Sequence, residues 1–204
     1  MHLTVRPAAP DDGGDALLYE SARRYYDAYA GDEAAARAML RRVYRRGGHT
    51  ASAEVTRVAE ADGRVVGAIV AFPAEDGERL ARRFMTLTLP RIPPWRWPRL
   101  LRHLHAAARV SPAPPADSWY VDALAVAPDE RRRGIAGALL ADAEAIAREA
   151  GAIGVALDTG LENAPARRLY ERHGFEERDI RRAPDERAAR AIGGRGFVGY
   201  FKPV

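Results

Sequence analysis

The sequence predicts a mixed α/β (α+β) fold in which a mostly antiparallel sheet is flanked by helices. Three stretches predict it. Two strand-like runs, Glu54 to Ala61 and Arg64 to Phe72, are joined by Asp62-Gly63, a pair that tolerates the positive φ angles of a two-residue hairpin turn. An apolar run from Trp119 to Val126 is too short for a helix and rich in β-branched and aromatic residues. It stops at Ala127-Pro128, and a basic turn and an alanine- and leucine-rich helix to about Ala150 follow it. A second buried run, Ala152 to Thr159, would pair with the first through a right-handed crossover.

The 204 residues, 47% hydrophobic, suffice for one substantial core, and we expect a single domain over residues 1–204 with an inserted lid-like segment at about 73–118. No N-terminal signal pattern and no apolar run near the ~18 residues of a membrane span are present, so a soluble, cytoplasmic protein without membrane contact is expected. With no cysteine, disulfides, thiolate metal sites and a cysteine nucleophile are excluded. The net charge of +4 arises from 32 basic and 28 acidic residues dispersed along the chain, which argues against nucleic acid as a partner. Lys202 is the only lysine.

In order along the chain, His2 to Arg6 alternates like a strand. Apolar residues at helical spacing predict one helix from about Asp15 to Tyr29 and a second from Asp32, a good N-cap, to Arg46. Tyr25, Tyr26, Tyr29 and Tyr44 fit half-buried packing better than an acceptor pocket. Gly67, inside the third strand, suggests a bulge or close packing. In the segment that follows, Glu78 to Leu89 and Arg99 to Arg109 are helical candidates around the irregular Pro90 to Pro98. Trp95 and Trp97 are expected to anchor that loop on the core. His103 and His105 face different sides of a helix with no carboxylate nearby, so no metal site is expected. Residues 181–195 suit a loop or short helix, and Phe197 to Val204 a closing strand.

A strand, a basic glycine-containing turn and a helix start together make an anion site. The first backbone N–H groups of a helix lack internal partners, and its dipole favours negative charge there. Small residues, Gly134, Ala136, Gly137 and Ala138, let a phosphate approach that backbone, and Arg131, Arg132 and Arg133 add planar donors. A pyrophosphate-bearing ligand is expected on Arg133 to Ala138. The same residues alone would also suit a surface helix with a basic first turn.

The turn Arg131-Arg132-Arg133-Gly134-Ile135-Ala136 resembles the Arg-x-x-Gly-x-Gly/Ala signature of the GNAT family of N-acetyltransferases. Asn163 to Phe175 resembles closely that family's Asn-x-x-Ala-x-x-Leu-Tyr-x-x-x-Gly-Phe motif, every marked position matching. The resemblance implies a GNAT-like sheet with splayed central strands, no metal, and acetyl-CoA as co-substrate. Its pyrophosphate would lie on Arg131 to Ala138, including Ile135. Its pantetheine would pair with the backbone of Leu124, Ala125 and Val126, and Asn163 would either bond the cofactor or simply cap its helix.

The implied reaction is direct attack by a primary amine, of a small molecule or a peptide, in a ternary complex. Tyr170 matches the family tyrosine assigned to the leaving sulfur. Asp122 leads as the base: on an alternating strand it shares a face with Tyr120 and Leu124, and a carboxylate in an apolar strand is costly unless paired, hydrated or used. It could equally pair with an arginine. Asp158 and Glu162 are weaker candidates, and His173 is expected to be exposed. The alternative function is a catalytically silent acyl-CoA-binding domain. A homodimer would form through the sheet edges or the final strand.

Overall fold

The computed structural model describes residues 2–204. One seven-stranded sheet runs in the order β1-β2-β3-β4-β5-β7-β6, with every neighbouring pair antiparallel except β4 and β5. Strand β1 is Leu3–Pro7, β2 Thr56–Ala61, β3 Arg64–Pro73 and β4 Trp119–Val126. The others are β5 Gly154–Gly160, β6 Glu176–Arg182 and β7 Gly196–Pro203. Asp62 and Gly63, at φ 49° and 77°, make the tight turn between β2 and β3.

Where one long N-terminal helix is expected, there are two, α1 (Gly14–Ser21) and α2 (Arg23–Ala30), followed by α3 (Glu33–Tyr44). The break falls at Ala22, whose φ is −143°, next to Ser21, whose hydroxyl donates to the Leu18 carbonyl at 2.7 Å. The Asp32 side chain accepts from the Ala35 amide at 2.8 Å and caps α3. The segment after β3 folds into α4 (Gly77–Thr88) and α5 (Trp97–Val110), joined through two short 3₁₀ turns. Then come α6 (Ile135–Glu149), α7 (Ala164–Arg172) and α8 (Glu186–Ile192), the last connecting β6 to β7.

Each face of the sheet has its own core. On one, α1 to α5 bury Tyr26, Tyr29, Leu40, Tyr44, Val70 and Phe72; on the other, α6 and α7 bury Ile69, Val121, Leu139, Val155, Tyr170 and Val198. Tyr26, Tyr29 and Tyr44 are thus core residues, and the Tyr29 hydroxyl shares a 2.6 Å hydrogen bond with Thr88. The expectation for the tryptophans fails at Trp95, which is 78% exposed, while Trp97 is 42% exposed and donates from Nε1 to the Ile92 carbonyl at 3.0 Å.

Helix α6 rides close over β3 at Gly67, where a Cβ would meet Ile135 Cγ2 at 2.9 Å and Leu139 Cδ1 at 3.0 Å. The register of β2 against β3 also shifts beside this glycine. Gly67→Val is therefore expected to lower stability by about 1–3 kcal/mol through overpacking, read as a lower urea midpoint with an unchanged m-value. An unchanged midpoint would show that α6 yields at no cost.

Candidate active site

The site begins where β4 and β5 stop pairing. Their parallel register covers only Trp119↔Val155, Tyr120↔Ala156 and Val121↔Leu157, although β4 continues to Val126 and β5 to Gly160. The strands part beyond Val121, and a bulge sits at that point. On β3, Val70 faces Ala123 and the next residue, Ala71, faces Val121, so Asp122 is an extra residue with no partner.

The bulge corrects the expectation that Asp122 shares a face with Tyr120 and Leu124. Alternation is interrupted at Asp122, so Tyr120 packs on the core beneath α1 to α5 and Leu124 on the core beneath α6 and α7. A cleft of about 900 Å³ opens beside the diverging strand, lined on one side by Leu124, Ala125 and Val126.

Its far wall is the basic turn. Arg132 and Gly134 take left-handed φ angles of 64° and 82° and carry the chain into α6. Gly134 caps α6 without a side-chain bond, and the helical ladder starts with the Ala138 amide donating to the Gly134 carbonyl at 3.0 Å. The amides of Ile135, Ala136 and Gly137 precede that ladder and have no intrahelical acceptor, at the positive end of the helix dipole. Arg131, Arg132, Gly134, Ile135, Ala136 and Gly137 all line the cleft. Arg131 also donates from Nε to the Val126 carbonyl at 3.2 Å, tying the turn to the strand.

Two residues expected here do not line it. Arg133 turns to Glu130 at 2.7 Å, three residues back in the chain, and Ala138 lies outside the lining. Among the residues that line the cleft without having been expected there are two arginines, Arg168 and Arg172, four apart on α7. Their spacing on a helix with a recognisable cap is the signal the sequence carries; which side α7 presents to α6 is not in it.

Asn163 lines the cleft too, with its side chain already engaged. Its oxygen accepts from the Ala166 amide at 3.4 Å and its amide donates to Thr159 Oγ1 at 3.0 Å. His173 is half-buried rather than exposed, because its ring lies where a Cβ on Gly137 would be, 2.6 Å from Cε1. The glycine lets α7 close on α6.

Tyr170 is 7% exposed, packed against Phe175 and Tyr200, and reaches the cleft. Burial, with the nearby Asp158 charge, holds its phenol far above the ordinary range, so it carries its proton at neutral pH. Asp158 accepts a 2.6 Å hydrogen bond from the Tyr120 hydroxyl. Both line a smaller cavity of about 220 Å³ beneath Pro112 to Pro115, with Arg178 and Asp179 also on its lining. Burial raises the Asp158 carboxyl, against the Tyr120 hydrogen bond, which lowers it. Glu162 accepts from the Arg195 amide at 3.0 Å, a contact that holds the start of β7.

The Asp122 carboxyl is pushed up to about 7, first by its depth among protein atoms and then by Asp158. The residue is nevertheless exposed along the gap, so its burial acts in full only once a ligand fills that gap. Asp122 and Asp158 are in no ion pair among the described residues. The Asp122 charge adds to the burial that raises the Tyr26 phenol, and both carboxylates add to the burial that raises the Tyr120 phenol.

A carboxyl raised in the folded state above its ordinary 3.8 binds its proton more tightly there than in the unfolded chain. Its contribution to stability therefore falls as pH climbs above about 4, and reaches its lowest level only above about 7 when the gap is filled. Asp122→Asn is expected to raise the thermal midpoint at pH 8, with the gain vanishing near pH 4, measured by thermal scans across pH. A gain that persists at pH 4 would place its origin outside this ionisation.

A parallel strand pair parting beside a basic helix start with free amides makes a cleft for an extended ligand with an anionic end. The chain belongs to the acetyltransferase (GNAT) family, whose sequence model matches residues 9–175. No curated protein matches it. Among solved structures, its fold is similar to that of an acetyltransferase, with 20% identity, 98% of this chain and 99% of the other covered, and a TM-score of 0.70. It is similar to an N-acetyltransferase from Staphylococcus aureus Mu50 at 15% identity, covering 98% and 100%, with a TM-score of 0.67. A PaiA N-acetyltransferase from Thermoplasma acidophilum in complex with coenzyme A has 16% identity, full coverage of both chains and a TM-score of 0.55. Among the described residues, no helix is long and apolar enough to cross a membrane, and no group of three His, Cys, Asp or Glu could hold a metal ion.

Proposed function

We propose that the chain transfers the acetyl group of acetyl-CoA to a primary amine, of a small molecule or a peptide, by direct attack within a ternary complex. One observation carries this reading. The cleft beside the parting of β4 and β5 joins the start of α6 to Tyr170, and Asp122 lies where the two strands part, so a single extended thioester would meet an anion site at one end and proton-handling groups near the other.

The pyrophosphate would take the free amides of Ile135, Ala136 and Gly137, with Arg131, Arg132, Arg168 and Arg172 as charge-assisted donors. The pantetheine would add to the open edge of β4 along Leu124 to Val126, as a peptide adds a strand to a sheet. Asn163 then serves by capping α7 and orienting the Tyr170 helix. The segment 73–118 would form the acceptor-side wall: Pro112 to Pro115 cover the cavity at Asp158, and the His103 ring packs on Tyr25, 4.9 Å between centroids.

An amine reaching the site as an ammonium gives its proton to Asp122, and the neutral nitrogen attacks the thioester carbonyl. The C–N bond forms, the C–S bond breaks, and the Tyr170 hydroxyl protonates the departing sulfur. The nitrogen loses its second proton as the amide forms; that proton and the one held by Asp122 pass to solvent, which returns one to the Tyr170 phenolate, so one proton is released with the amide and free thiol. The test is thiol release from acetyl-CoA against a panel of primary amines. Turnover on a subset of them is expected; acetyl-CoA binding with no turnover on any amine would turn the reading to a silent acyl-CoA-binding domain.

A further inference from the structure

A second concave surface collects arginines without carboxylate partners. It lies between α5 and α8, a groove of about 710 Å³ lined by Arg99, Arg102 and Arg109 of α5 and Arg187 of α8, none of which is in an ion pair among the described residues. Arginines elsewhere on helix surfaces are commonly matched one turn away, as Arg79 is with Asp76 and Arg82 with Glu78. Helix α5 contains no acidic residue that could do this. The carboxylate on the groove lining, Asp185, is already engaged as the cap of α8, accepting from the Ala188 amide at 2.8 Å. The cofactor cleft gathers unpaired arginines in the same way, and its proposed ligand is a polyanion.

The groove is built into the fold. His103, 3% exposed, donates from Nδ1 to the Ala191 carbonyl at 2.7 Å and so ties α5 to α8, and Arg24 bonds the Gly193 carbonyl at 3.2 Å where α8 ends. Its lining is also partly apolar: Leu101, 58% exposed, and Ala106 of α5 stand with Ala188 and Ala191 of α8.

These features select the occupant. Unpaired guanidinium groups fit carboxylates in bidentate fashion, and Leu101 with the alanines beside them fits apolar side chains interspersed among those carboxylates. Single-stranded nucleic acid needs successive aromatic platforms for its bases, and neither Trp95 nor Trp97 is on the groove lining. We propose that the groove between α5 and α8 is a docking site for an acidic peptide segment of a partner protein, one carrying apolar residues among its carboxylates.

The probe is a short fluorescein-labelled peptide with glutamates and leucines at helical spacing, followed by anisotropy on the full chain. Binding is expected to saturate, to weaken with added salt, and to fall at least about tenfold in the Arg102→Glu/Arg187→Glu variant. The acetyl-CoA affinity of that variant should equal that of the native protein, which separates this site from the cofactor cleft. Should the double variant fail to fold, Arg99→Ala/Arg109→Ala is expected to give a smaller loss in the same direction. No binding by the native protein, or equal binding by the folded variants, would overturn the proposal. Tighter binding of a single-stranded oligonucleotide of equal charge would overturn it in favour of nucleic acid, and self-association lost in the variant would do so in favour of a second copy.

Discussion

Replacing Tyr170 by phenylalanine is expected to cut kcat by about 10²–10⁴-fold, the usual worth of a positioned proton donor, while acetyl-CoA binds as before. The substitution removes only the hydroxyl, and the ring keeps its packing against Phe175 and Tyr200. A phenol held this far above its ordinary range donates to a departing thiolate without first ionising. The loss should fall on kcat rather than on KM, since the bond to sulfur strengthens as the C–S bond breaks. Asp122→Asn should add a distinct signature. The native kcat should rise with pH through an ionisation near 7, because in the filled site the base works only when deprotonated, and that limb should be absent in the variant. Full activity in Tyr170→Phe would remove the tyrosine from the chemistry and leave it a packing role.

Ala136→Glu is expected to raise the Kd for acetyl-CoA at least about 100-fold, because a carboxylate placed among the amides of α6 occupies the phosphate position and repels the pyrophosphate. Its effect on folding should have the opposite sign. Ala136 is only half-buried, and an acidic residue in the first turn of a helix is favourable to that helix by about 0.3–1 kcal/mol. Calorimetric titration alongside a thermal scan separates the two effects. Native-like affinity in a stable variant would mean that the pyrophosphate lies elsewhere.

Signals confined to a few consecutive residues are legible in the amino-acid sequence. Asp62-Gly63 predicts its turn, Asp32 its cap, and Trp119 to Val126 its strand, because each depends on neighbours in the chain. The basic turn and the Tyr170 helix are legible for the same reason. What stays hidden depends on partners distant in sequence. The bulge at Asp122 exists only in the pairing of β4 with β3, so a strict alternation drawn from β4 alone misassigns its faces. Arg168 and Arg172 become cleft residues only because Gly137 admits His173 and draws α7 onto α6. The proline-rich run around Trp95 has strong local turn signals, yet nothing in it states which way the ring points, and it points to solvent. The placement of β7 between β5 and β6 likewise rests on long-range pairing.

The central claim is direct transfer in a ternary complex, and initial velocities measured with acetyl-CoA and an accepted amine varied together test it most directly. Intersecting double-reciprocal lines, with no acetyl group left on the protein after incubation with acetyl-CoA alone, are the predicted result. Parallel lines together with a covalently acetylated protein would contradict it, because the acetyl group would then pass through the enzyme before reaching the amine.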